Sequence, residues 1–150
     1  MLVVGITGCL GSGKSTLADF LAEQGAVVLR ADEVGHELLK KGTPTFRKLV
    51  EEFGEGILDE EGRIVRERLG ELVFKNKPAL QKLNQIVHPP LLERLRNQIH
   101  AWRDAGPGIA VLEAALIPEW RLEKELDVLI SVEAPKRKRQ WWWTKKTYAA

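Results

Sequence analysis

The sequence has little of what several functional classes require. It contains one cysteine, Cys9, and three scattered histidines, which excludes an intramolecular disulfide framework and a multi-cysteine metal site and does not suggest a zinc site. Its longest apolar runs, such as residues 109–112, are much too short to span a bilayer. No basic segment precedes an apolar stretch at the N-terminus, so we expect no signal peptide and predict a cytoplasmic protein.

The composition is otherwise that of a folded domain, but its charge is unevenly distributed. The 150 residues are 44% hydrophobic and 29% charged, which fits one globular domain with a core of ordinary size. Six of the 23 basic residues and none of the 21 acidic ones fall in residues 134–150, which leaves 17 basic against 21 acidic residues before them. A mildly acidic body therefore precedes a basic tail.

Apolar segments typical of strands alternate with segments of helical periodicity. We predict a glycine-rich loop at residues 8–13 and a turn at 59–62. We predict strands at residues 2–7, 26–29, 108–112 and 127–132, and helices at 14–24, 33–41, 44–53, 66–74 and 79–105, the last interrupted by Pro89 and Pro90. This alternation predicts an α/β fold with a parallel sheet flanked by helices on both faces.

The glycine-rich loop carries a phosphate-binding motif. Residues 8–15, Gly-Cys-Leu-Gly-Ser-Gly-Lys-Ser, match G-x-x-x-x-G-K-[ST] between a predicted strand and a predicted helix. Backbone N–H groups of such a loop point at phosphate oxygens, Lys14 can reach the β- and γ-phosphates, and the Ser15 hydroxyl can ligate Mg²⁺. The motif predicts ATP and Mg²⁺ as ligands, with a plain glycine-rich turn as the alternative. The predicted nucleotide-binding residues are Gly11, Ser12, Gly13, Lys14, Ser15 and Thr16.

Asp32 is the candidate acid–base residue. The motif alone leaves ATPases, GTPases and kinases open, and the N-K-x-D motif that reads guanine is absent from these 150 residues. Asp32 follows the second predicted strand, at the sheet edge where α/β proteins bind their ligands. Its carboxylate could accept the proton of an attacking hydroxyl, as in kinases. The alternative is a helix N-cap, and one aspartate can do both.

Taken together, the motifs resemble the dephospho-CoA kinase family over residues 1–135. Beyond the phosphate loop, the matching segments are Ala31-Asp32, Gly42-Thr43-Pro44, Phe53-Gly54, residues 59–69, Val73-Phe74, Val87-His88-Pro89, residues 111–119 and Glu133-Ala134-Pro135. The resemblance implies a P-loop kinase core, a helical region at about residues 60–105 that binds CoA, and a lid. The implied reaction is ATP-dependent phosphorylation of the 3′-hydroxyl of dephospho-CoA, in the pathway of coenzyme A biosynthesis.

The resemblance also assigns roles to individual residues. Asp32 matches the family's proposed base, with Lys14 as the other catalytic residue. Arg66, Phe74 and His88 fall in the acceptor-binding stretches. Alternatively, Arg66 is a solvated helix charge, Phe74 is a core residue and His88 is a helix-end residue. Glu113 ends an apolar strand, where it could contact Mg²⁺ directly or through water, or be an ordinary strand-end residue. Alternative functions are another small-molecule kinase, acting on a nucleoside or nucleotide, or a catalytically weak nucleotide-binding fragment.

Three features depart from the family. The family often has Asp-Ala-Asp after the second strand, and Arg30 replaces the first acid here; Pro118 replaces a bulky apolar residue. The family's basic lid, last strand and last helix have no counterpart in residues 136–150, which we expect to be an aberrant tail with three consecutive tryptophans. We therefore expect weak or absent turnover, and an exposed strand edge that favours oligomers. Binding of nucleic acid by the tail is a disfavoured alternative.

Overall fold

The computed structural model describes residues 1–8 and 13–133. The strands are β1 (Leu2–Thr7), β2 (Val27–Arg30), β3 (Ile109–Glu113) and β4 (Val128–Ser131), the helices are α1 (Lys14–Glu23), α2 (Ala31–Leu38), α3 (Pro44–Phe53), α4 (Arg66–Phe74) and α5 (Lys77–Arg103), and short 3₁₀ turns occur at Glu55–Ile57 and Leu122–Glu125. By their contacts, the described residues within 1–31 and 96–133 form one unit and residues 32–95 form a second.

The four strands form one parallel sheet in the order β2-β3-β1-β4, which confirms the predicted fold class. β1 pairs with β3 from Leu2 opposite Ile109, and β2 pairs with β3 so that Arg30 lies opposite Glu113. Because all strands are parallel, their carboxyl ends meet at one edge of the sheet. The segments that follow β1, β2 and β3 therefore start from the same edge, which is where ligands bind in such sheets.

One face of the sheet packs against α1. Val4, Ile6 and Val111 form a buried cluster there with Ala18 of α1. On the opposite face the sheet is packed tightly at Gly5, where a Cβ would overlap Leu126. Because β1 is buried on both faces, it is fixed between two packed layers and holds the following loop at the ligand edge.

The second unit has a core of its own. Leu49, Ile57, Leu69 and Val73 are buried together there. Helix α3 begins as the sequence predicts: Thr43 is its N-cap and accepts a hydrogen bond from the N–H of Phe46 at 3.0 Å, and a proline follows the cap. In the described part of the chain, no helix combines the length and hydrophobicity that a bilayer span requires.

Two helix predictions are wrong in detail. Helix α5 is continuous from Lys77 to Arg103 and contains Pro89 and Pro90, although we expected the prolines to interrupt it. Each proline removes a backbone donor and crowds the carbonyl one turn before it, but buried side chains on the C-terminal side, such as Leu91, hold the helix in place. Helix α2 begins at Ala31 rather than Glu33. Most other boundaries agree with the predictions to within a residue or two.

Candidate active site

The described half of the phosphate loop leads directly into α1. Gly13 is the N-cap of α1 with φ 95°, a left-handed conformation that favours glycine. The first intrahelical bond runs from the Leu17 N–H to the Gly13 carbonyl (3.1 Å), so the N–H groups of Lys14, Ser15 and Thr16 have no carbonyl one turn before them in the helix. The predicted residues Gly11 and Ser12, like Cys9, lie outside the described residues.

This helix start is suited to an anion. The first turn of α1 contains no acidic residue, and Lys14 is its first residue. Backbone N–H groups at a helix N-terminus carry partial positive charge and bind phosphate oxygens readily. Lys14, Ser15 and Thr16 therefore occupy the positions that the sequence predicts for them.

Glu113 lies directly beside Ser15. The Ser15 hydroxyl donates a hydrogen bond of 2.7 Å to Oε1 of Glu113, and Glu113 is a buried residue at the carboxyl end of β3. The structure thus brings together the two residues that the sequence suggests for Mg²⁺. The ordinary strand-end alternative for Glu113 does not account for a carboxylate that is buried and bonded to the phosphate-loop serine.

Arg30 completes the cluster, although its sequence position alone predicts no role for it. Its Nε donates a hydrogen bond of 2.8 Å to Oε2 of Glu113, and its terminal nitrogen donates to Oδ1 of Asp19 on α1. The hydrogen bond to Glu113 is the main cause that raises the pKa of the Arg30 guanidinium above its ordinary value. In the sequence, the only sign of this role is an arginine where the resembled family often has an acid. Its partner Glu113 is far away in the sequence, although β3 is the neighbour of β2 in the sheet.

The carboxyl end of β1 is fixed from both neighbouring strands. The Thr7 hydroxyl donates a hydrogen bond of 3.0 Å to the carbonyl of Ala115. The Thr7 carbonyl accepts one of 2.8 Å from the N–H of Val132. These contacts hold the end of β1, and with it the start of the phosphate loop, against the segments that follow β3 and β4.

Asp32 is an exposed residue in the first turn of α2. We expected it to precede the helix as a possible N-cap; because α2 already begins at Ala31, that expectation is wrong. Glu33 is a second acid in the same turn. Acidic side chains in the first turn interact favourably with the helix dipole.

The three predicted acceptor residues all lie in the second unit. Arg66 is the exposed first residue of α4, an unusual place for a cation because helix N-termini favour negative charge. Phe74, the last residue of α4, is 87% exposed, so the core alternative for it is wrong. It lines a shallow pocket of about 370 Å³ with Gly70, Glu71 and Lys75.

His88 lies inside α5 rather than at a helix end, so the helix-end alternative is wrong as well. It is half-buried, and burial lowers its pKa below the ordinary value.

The described residues offer few ligands for a metal. Among residues 1–8 and 13–133, no three histidine, cysteine or acidic side chains are grouped so that they could hold an ion. Mg²⁺ in nucleotide sites is bound by one or two protein oxygens together with phosphates and water. The Ser15 hydroxyl and the Glu113 carboxylate, 2.7 Å apart, fit a magnesium ion of that kind.

The parallel sheet, the loop between β1 and α1 and the Ser15–Glu113 pair define an α/β protein of the P-loop kinase type. The family model for dephospho-CoA kinase matches residues 2–141, and the chain belongs to this family.

Curated relatives agree with that membership. The dephospho-CoA kinase of Thermobifida fusca is 44% identical over 135 residues, which cover 90% of this chain and 66% of the relative. That of Aquifex aeolicus is 41% identical over 135 residues, covering 88% of this chain and 66% of the relative. The chain thus spans just under two thirds of the length of these relatives.

Solved structures share the fold. The crystal structure of TT1252 from Thermus thermophilus matches 99% of this chain and 74% of its own, with a TM-score of 0.77 and 30% identity. A dephospho-CoA kinase from Campylobacter jejuni matches 98% of this chain and 96% of its own, with a TM-score of 0.64. At 19% identity, the second likeness concerns the fold alone.

Proposed function

We propose that the chain transfers the γ-phosphoryl group of ATP to the 3′-hydroxyl of dephospho-CoA. The observation that carries the proposal is the hydrogen bond of 2.7 Å between Ser15 and Glu113 at the N-terminus of α1. It supports a magnesium nucleotide site, because a hydroxyl and a buried carboxylate lie together at a helix start that suits phosphate. The names of the relatives favour dephospho-CoA over the nucleosides and nucleotides that a phosphate loop alone leaves open.

On the donor side, the chain's own residues bind and neutralise the phosphates. The N–H groups at the start of α1 bind phosphate oxygens, and Lys14 brings a positive charge to the β- and γ-phosphates. Ser15 would hold Mg²⁺, with Glu113 behind it as the hydrogen-bond acceptor of the Ser15 hydroxyl. When it is bound, Mg²⁺ neutralises developing charge on the phosphates. Phosphoryl transfer requires this positioning and neutralisation more than covalent chemistry by the protein.

On the acceptor side, three residues have the chemistry to hold dephospho-CoA. The guanidinium of Arg66 can pair with its phosphates, and the exposed ring of Phe74 can stack on its adenine. His88 can donate or accept a hydrogen bond. Asp32 accepts the proton of the 3′-hydroxyl as that oxygen attacks.

The first test is formation of CoA from MgATP and dephospho-CoA, followed by mass spectrometry. We expect Lys14→Ala to lower kcat/KM by roughly 100-fold or more. We expect Asp32→Asn to lower kcat by about 100- to 10,000-fold, because it removes the base. Absence of CoA with a folded chain that binds MgATP would contradict the proposed reaction and leave a nucleotide-binding protein.

Phe74→Ala separates the acceptor side from the donor side in the same assay. Stacking on an aromatic ring contributes about 1–3 kcal/mol per base, so we expect the KM for dephospho-CoA to rise roughly ten-fold or more. The KM for ATP should stay the same. Leu72→Ala is the matched control, because Leu72 is another exposed apolar residue of α4, at 48%. Equal effects of the two substitutions on the KM for dephospho-CoA would argue against stacking on Phe74.

A further inference from the structure

Both oxygens of the Glu113 carboxylate already have hydrogen-bond donors. Oε1 accepts from the Ser15 hydroxyl at 2.7 Å, and Oε2 accepts from Nε of Arg30 at 2.8 Å. The side chain of Glu113 is only 7% exposed, so these two partners replace the hydrogen bonds that water would otherwise make. A buried carboxylate with two fixed donors keeps one orientation.

The backbone sets this arrangement in advance. Arg30 and Glu113 are directly opposite each other in the register of β2 and β3. On its other side Arg30 bonds Asp19, which lies four residues after Ser15 and therefore on the same face of α1. Hydrogen bonds thus connect four side chains in a closed path, from Ser15 through Glu113 and Arg30 to Asp19. The path begins in the first turn of α1 and ends on the same helix one turn later.

This path has two consequences for the phosphate site. Ser15 gives its only proton to Glu113, so the lone pairs of its oxygen stay available to a cation. Arg30 places a permanent positive charge against Glu113, because a guanidinium does not deprotonate in proteins. The carboxylate beside the phosphate loop is therefore both oriented and compensated in charge.

We propose that Arg30 is a positioning residue of the phosphate site: it holds Glu113 as the hydrogen-bond acceptor of Ser15 and offsets its charge, so that Glu113 acts on Mg²⁺ through Ser15 and not as a direct ligand. The proposal rests on one part of the proposed function, namely that the chain binds a magnesium nucleotide. It concerns a residue that departs from the pattern of the resembled family.

The test measures Mg²⁺ and nucleotide binding separately, without turnover. Thermal unfolding of the whole chain is followed with ADP while Mg²⁺ is varied, and with ADP in the absence of metal. In Arg30→Met, Glu113 has one donor fewer and no compensating charge. We expect the half-saturating Mg²⁺ concentration to fall roughly three-fold or more, and metal-free ADP to bind less tightly, because removing a cation favours Mg²⁺ and disfavours phosphate.

Opposite shifts of this kind distinguish the loss of the Arg30 charge beside Glu113 from general damage, which would weaken both kinds of binding. Arg30→Lys keeps the positive charge, so we expect its half-saturating Mg²⁺ concentration and its affinity for metal-free ADP to stay near those of the unmodified chain. If Arg30→Met does not fold, a large change of either quantity in Arg30→Lys would contradict the role of the charge. The matched control is Arg63→Met, because Arg63 also bridges two carboxylates, those of Asp59 and Glu61. An unchanged or increased Mg²⁺ requirement in Arg30→Met would overturn the proposal.

If the unmodified chain binds no nucleotide, the proposed function fails, and a double-mutant cycle decides the inference about Arg30. Arg30→Met, Ser15→Ala and the double variant are compared in urea unfolding. Because both residues bond the same buried carboxylate, their effects on the free energy of unfolding should not be additive. Additive effects would show that Arg30 does not act on Ser15 through Glu113.

Discussion

His88 makes the stability of the chain depend on pH. Burial lowers its pKa in the folded state, whereas in the unfolded chain the pKa returns to about 6.5. As the pH falls through 6.5, the unfolded state binds a proton that the folded state does not, so stability present at higher pH is lost. We expect the free energy of unfolding in urea to decrease between about pH 7 and 5.5, and His88→Gln to reduce this slope.

The matched control is His36→Gln, because His36 is exposed on α2. It should leave the slope of unfolding free energy against pH as it is in the unmodified chain. A slope that His88→Gln does not change would mean that other groups cause the loss of stability.

Single residues also show how far the sequence could predict the site. Lys14 and Ser15 were predictable because the phosphate-loop motif fixes their spacing and their place at a helix start. The role of Arg30 was not, because it depends on β3 lying next to β2 with Arg30 opposite Glu113. Strand order and register are tertiary properties, and 82 residues stand between these two in the sequence.

At the scale of elements, a side chain at Gly5 of β1 would require its neighbours to move. A Cβ there would overlap Leu126 and lie 3.2 Å from both Ile117 and Leu129. We expect Gly5→Ala to destabilise the chain by about 1–3 kcal/mol, because overpacking moves these side chains. Thermal unfolding would show this as a lower Tm, by roughly 2–4 °C for each kcal/mol.

Gly35→Ala gives the opposite expectation. Gly35 lies inside α2, and a Cβ there would meet no atom within 4 Å. Because alanine favours the helix and restricts the unfolded chain, we expect a gain of about 0.5–1 kcal/mol. A fall in Tm with Gly35→Ala as large as with Gly5→Ala would mean that packing at Gly5 is not the cause.

The elements that were predicted well have their signals within a few residues. β1 is a short apolar run with β-branched residues, which is typical of a buried strand. α3 begins with Thr43 and a proline in the positions that helix starts prefer. Helix α5 was predicted less well, because its continuity through Pro89 and Pro90 depends on side chains packed along its length. Local rules for proline describe a helix without that support.

For the whole molecule, the exposed edge of the sheet predicts association. Among the described strands, β4 lies at one edge, and its Val128 and Leu129 are 43% and 37% exposed. An apolar edge strand offers unpaired backbone groups to another chain. We expect concentration-dependent association in sedimentation velocity, and a decrease when Val128 and Leu129 are both replaced by lysine.

Leu80→Lys is the control, because it removes an apolar side chain of similar exposure, 41%, from a helix instead of a strand. It should leave the association unchanged. If it reduces association as much as the two substitutions in β4, then general hydrophobicity, and not the strand edge, is responsible.

The pairing of β1 with β3 sets the timing of folding during synthesis. Leu2 pairs with Ile109, so the first strand leaves the ribosome roughly a hundred residues before its partner. At translation rates of about 5–20 residues per second, β1 waits on the order of 5–20 s before it can pair with β3. The strand that leads into the phosphate loop therefore takes its place in the sheet only after most of the chain has been synthesised.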